Sequence, residues 1–113
     1  MKKESPVKKF PGHVILPEYL NLPQVRDFED AIGLENIDEA DKKDDRIWLS
    51  VIAGKRLPVI FDCVLEWHIE GVPDEPTEDT FPMTPIADAN ELVGWLFGEI
   101  RQIWTGEVSD PKD

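Results

Sequence analysis

The sequence predicts a mainly α fold: a single small domain of three to four helices, with a long proline-rich crossover and at most one short strand. Three observations carry that expectation. Apolar residues recur at helical spacing in several stretches, and glycines fall where those stretches end. Pro73, Pro76, Pro82 and Pro85 crowd one segment that regular helix cannot traverse. A chain of 113 residues can bury one hydrophobic core, and four Trp with five Phe supply large side chains to fill it.

Residues 1–11 set Lys2, Lys3, Lys8 and Lys9 against a single acid, Glu4, and are read as a flexible basic arm, free in solvent or folded back on an acidic body. His13-Val-Ile-Leu-Pro17 is a short β-type run stopped by proline, suited to the one edge strand or to an extended lead-in. The first helix begins after Asn21: Pro23 suits a first turn, Val25, Phe28 and Ile32 recur at helical spacing, and Gly33 supplies a stop. Residues 38–45 are charged enough to be a solvated linker or the acidic start of a second helix. Its apolar face would be Ile47, Trp48, Val51 and Ile52, and Gly54 would end it.

A third helix is expected over 58–70, from Pro58 in the first turn to a stop at Gly71, burying Ile60, Phe61, Val64, Leu65 and Trp67. A strand opening this segment at Val59-Ile60-Phe61 is the competing reading. The prolines then make 71–85 a stiff, extended crossover of a length that marks functional or mobile loops. The last helix starts at a capping-box-like pair, Asp88 with Glu91, and runs to Thr105 ahead of Gly106. The organisation is therefore a basic arm at 1–11, a helical domain at 12–106 and a polar tail at 107–113.

Charge narrows the function. The formal net charge is -12, and no lysine or arginine lies between Arg56 and Arg101, where ten acids are interleaved with apolar and aromatic residues. Such a surface repels phosphate backbones and attracts basic proteins, so a direct nucleic-acid partner is not expected. Cys63, the sole cysteine, excludes an internal disulfide and fits a reducing compartment. Acids interrupt every apolar run of bilayer length, and the start lacks a signal-type apolar region, so the expectation is a cytoplasmic protein with no membrane role.

No motif names a reaction, and an enzyme is not expected. Asp62, Glu66 and Glu70, spaced four apart on the proposed third helix, form an acidic face suited to solvent. Cys63, Glu66 and His68 bring together the ingredients of a zinc or thiol site. On a helix, however, His68 sits about 140° from Cys63 and about 160° from Glu66 and Glu70, and His13 lies far off in the chain. No metal, cofactor or catalytic residue is assigned.

The last helix carries more apolar surface than one core requires. Leu92, Val93, Leu96, Phe97, Ile100, Ile103 and Trp104 span an arc of about 140°, and Trp95 extends it by about 60°. Trp95 is thus read as a partner-binding anchor, beside Gly94 and Gly98, a pair that lets another backbone approach. Phe81 and Met83 on the crossover are the other candidate anchors, or else a lid, with Val72, that folds over Trp95.

Phe10-Pro-Gly-His-Val-Ile-Leu-Pro17, Glu66-Trp-His-Ile-Glu-Gly-Val-Pro73 and Thr80-Phe-Pro-Met-Thr-Pro85, ahead of a Trp-rich last helix, together resemble small proteins encoded with the tail genes of long-tailed bacteriophages. Those proteins are usually read as tail assembly chaperones. The resemblance implies a small, largely helical, non-enzymatic protein that binds the tape-measure chain in the host cytoplasm, and it transfers no binding residue. The expected function is therefore an assembly chaperone or adaptor that binds a protein partner, homo-oligomerisation being compatible with it. The alternative is an acidic inhibitor that mimics nucleic acid in a basic groove, with Asp62, Glu66 and Glu70 as its phosphate-like array.

Overall fold

The computed structural model describes residues 1–32 and 54–106. Among these, the fold is a small α/β domain, not a mainly α one: three helices cover one face of a three-stranded antiparallel sheet. The strands are β1 (Lys2–Glu4), β2 (Gly12–Ile15) and β3 (Glu66–Ile69), in spatial order β1-β2-β3. The helices are α1 (Leu22–Ile32), α2 (Gly54–Cys63) and α3 (Ile86–Thr105). The second predicted helix, with Ile47, Trp48, Val51 and Ile52, and the tail at 107–113 lie outside the described residues.

Two segments account for the correction. The first is 1–11, read as a basic arm, which supplies a strand: Lys2, Lys3 and Glu4 pair with Ile15, Val14 and His13. Val7 and Phe10 enter the core behind it, 2% and 6% exposed. The second is 58–70, where helix continues only to Cys63. Beyond it Glu66, Trp67, His68 and Ile69 alternate exposed and buried, the two-residue period of a half-buried strand. Ile60, Val64 and Trp67 also fit a helical spacing over so short a run, which is why one helix could be drawn through both elements. The competing strand at 59–61 is helical as well; the strand lies at the other end of the segment.

Helix ends follow local chemistry. At the start of α1, Asn21 Oδ1 accepts from the Gln24 N–H at 3.0 Å and Gln24 Oε1 accepts from the Asn21 N–H at 2.9 Å, a reciprocal cap that satisfies two otherwise orphan donors. Gly54, expected to end a helix, instead opens α2, and Pro58 falls early enough to forfeit one of the first backbone bonds. α3 begins at Ile86 after Pro85, which offers no side-chain cap; Asp88, read as the cap, sits inside the first turn, where its charge faces the positive helix end. Gly106 closes α3 in the left-handed region, φ 76°, with its N–H donating to Gln102 C=O at 2.8 Å.

The register divides the sheet into two faces. Val14, Leu16, Trp67 and Ile69 point inward, and α1, α2 and α3 pack over them through Phe28, Leu57, Ile60, Leu92, Leu96 and Ile100. Aromatic rings knit the core at two places. Phe28 stacks on Phe97 at 4.6 Å, joining α1 to α3. Phe61, Trp67 and Phe81 form a triangle with centroids 5.8–6.3 Å apart, joining α2, β3 and the crossover. The outward face carries two cross-strand rows: Lys2, Ile15, Glu66 and Glu4, His13, His68.

Candidate functional site

α3 presents a solvent stripe made largely of small residues. Ala87, Glu91, Gly94, Arg101 and Thr105 are exposed and Gly98 is half-buried, and on a helical wheel the six fall within about 80°. Apart from its chain neighbours and the adjoining backbone of α3 itself, a Cβ placed on Gly94 or Gly98 would meet no described atom within 4 Å. Neither glycine is there to let another part of the described chain come close. Each nonetheless lowers helix propensity by about 0.8–1 kcal/mol relative to alanine.

Trp95 borders this stripe, half-buried against the core rather than fully displayed. Of the two crossover anchors, Met83 is likewise half-buried against the core, whereas Phe81 is 4% exposed and belongs to the ring triangle with Phe61 and Trp67. The crossover is also less extended than its prolines suggest. Thr77 and Thr80 close a turn in which Thr80 N–H and Phe81 N–H both donate to Thr77 C=O, at 3.1 and 2.9 Å, delivering Phe81 to the core.

The acidic face does not form one helical stripe, because the helix ends before Glu66. Asp62 sits at the end of α2, where its backbone C=O accepts from Gln24 Nε2 at 3.3 Å. Glu66 and Glu70 share the outward side of β3 and its continuation. Glu66 is occupied there: its Oε1 lies 3.0 Å from His68 Nε2. The strand geometry also reverses the expectation that the two histidines are remote. His13 and His68 are direct cross-strand partners, and their rings stack with centroids 4.8 Å apart. The signal that could have found them is the polar-apolar alternation from Glu66 to Glu70, which has the period of a strand.

Cys63 is fully buried, and burial, helped by the neighbouring carboxylates of Asp62 and Asp27, pushes its thiol up to about 12. A thiolate is the reactive form, so this sulfur is poorly suited to nucleophilic work near neutrality. A cleft of about 320 Å³ opens between β1 and the end of α3, lined by Lys3, Glu18, Glu99, Gln102 and Ile103 among others. Its charged pair is Lys3 Nζ with Glu99 Oε1 at 3.5 Å, which ties β1 to α3. Among the described residues, no group of three or more His, Cys, Asp or Glu is arranged to hold a metal ion, and no helix is long and apolar enough to cross a membrane.

Compared with protein-family models, with curated proteins and with solved structures, the chain matches none.

Proposed function

We propose that this chain is a non-enzymatic protein-binding module, an assembly chaperone or adaptor of phage tail morphogenesis, which docks a partner on the solvent stripe of α3. The observation that carries the reading is the open pair Gly94 and Gly98. Two glycines one turn apart weaken the helix, and nothing described packs close enough to compensate for them. A partner backbone lying along the stripe would use the space they leave. Trp95 at its border supplies an apolar anchor of the kind that dominates interface energetics. Acids set around it, Glu91 and Asp88 among them, favour a partner with basic flanks.

The tail-assembly part of the proposal rests on the resemblance of residues 10–17, 66–73 and 80–85, which names a tape-measure chain as partner and the host cytoplasm as the place of action. A second reading is favoured by the stripe's own sequence. Ala87 and Thr105, Glu91 and Arg101, and Gly94 and Gly98 are each symmetric about position 96. A second copy running antiparallel across α3 would therefore set glycine against glycine and Glu91 against Arg101 twice, the self-complementarity that a two-fold dimer requires.

Capture of partner from native lysate tests the reading. Trp95→Ala should remove the bound protein, and wild-type capture should survive moderate salt. If instead Glu66→Lys with Glu70→Lys abolishes capture and salt weakens it steeply, the chain is a charge mimic and the α3 assignment is wrong.

A further inference from the structure

We propose that His13 and His68 form a solvent-facing site for a divalent transition cation of the zinc, nickel and copper class, bridging β2 and β3. The two residues are direct partners in the β2–β3 register, so both imidazoles leave the sheet on its outward face. Their rings stack with centroids 4.8 Å apart and planes 29° apart, and the His68 side chain is 49% exposed. Two Zn–N bonds of about 2.0–2.1 Å at a tetrahedral angle hold their nitrogens about 3.3 Å apart. The site forms by rotation of the His13 ring about its terminal side-chain bond, which has broad minima, while His68 keeps its bond to Glu66.

A second observation points the same way. Glu66 Oε1 lies 3.0 Å from His68 Nε2, where the imidazole donates to the carboxylate. In the neutral ring that bond places the proton on Nε2 and leaves the Nδ1 lone pair free. It is the outer-shell arrangement found behind metal-ligating histidines, in which a carboxylate fixes the tautomer and raises the basicity of the ligating nitrogen. Glu4, the β1 partner of His13, adds a further negative charge beside the site, partly offset by Lys2 at 3.5 Å, in a chain whose net charge is -12.

Two imidazoles are the whole protein ligand set, and water completes the coordination. The site is therefore open and exchangeable rather than a closed structural centre. Imidazole nitrogen selects zinc, nickel and copper over magnesium and calcium, which prefer oxygen. A cation held here ties a strand from the beginning of the chain to one from its middle. It binds the native state and not the unfolded one, so it stabilises the fold in proportion to its occupancy.

The test uses the full chain with zinc chloride, and magnesium chloride as control. Calorimetry should give one zinc per chain, and zinc should raise the melting temperature where equal magnesium does not. His13→Ala or His68→Ala should weaken zinc at least about tenfold, and Glu66→Gln should weaken it less than either. A measurement on the wild type guards against a variant that misfolds: trace copper(II) should broaden the imidazole NMR signals of His13 and His68 before any others. Zinc affinity unchanged in both histidine variants, or copper broadening that begins among the crossover acids Asp74, Glu75, Glu78 and Asp79, overturns the proposal.

Discussion

The guanidinium of Arg56 lies over the ring of Phe97, 4.4 Å from its centroid, while the same ring stacks on Phe28 at 4.6 Å. One side chain of α3 thus meets both α1 and α2. Phe97→Ala should cost about 3–5 kcal/mol, since it removes a large ring 5% exposed and empties the space between three helices. Arg56→Gln takes away the cation over the ring, an interaction of about 0.5–2 kcal/mol, but leaves the ring in place, so it should cost less than Phe97→Ala. Urea unfolding of both variants measures the two losses, and equal values would mean that Phe97 is not the hub of the helical layer.

Gly12 has φ 133°, and a Cβ there would run into the carbonyl oxygen of His68 and come within 2.8 Å of the Ile69 Cα. Both obstacles are backbone of the adjacent strand and cannot swing aside. Gly12→Ala should therefore lose about 1–3 kcal/mol and reduce amide protection in β2 and β3 together. Unaltered exchange in β3 would show that the two strands do not meet at this point.

Cys63 links stability to alkaline pH. Its thiol moves from an ordinary 9.0 to about 12 in the folded chain, chiefly through burial. Between those values the unfolded chain binds fewer protons than the folded one, so stability falls as pH rises through that window, and below it the thiol contributes no slope. Denaturation series at pH 8 and pH 10 should show a smaller drop for Cys63→Ala than for wild type. Matching drops would mean that the sulfur is solvated in the native state.

The signals of α1 and α3 were legible in the sequence, whereas the bounds of α2 and the sheet were not. Val25 and Phe28 mark α1, and Leu92 to Ile100 with Gly106 mark α3, because long periodic runs with a glycine stop are strong local signals. β1 is three residues of lysine and glutamate held by pairing with β2, a tertiary cause that leaves no local trace. β3 was hidden because Ile60, Val64 and Trp67 fit a helix while Trp67 and Ile69 fit a strand, and a four-residue strand is too short to decide between them. The candidate site divides in the same way. Gly94, Trp95 and Gly98 fall on α3 as expected, but the helical acidic stripe dissolves and the histidine pair emerges only from the register of β2 and β3.

If Gly94 and Gly98 serve a partner rather than the fold, alanine substitution separates those roles. Gly94→Ala and Gly98→Ala fill space that no described atom occupies, so each should stabilise the free chain by about 0.5–1 kcal/mol. The same substitutions should weaken partner capture by at least about tenfold, as added methyl groups push the two backbones apart. Greater stability with poorer capture is the predicted result. Loss of stability, or capture undiminished in the doubly substituted chain, would mean that the two glycines serve the fold and not a partner.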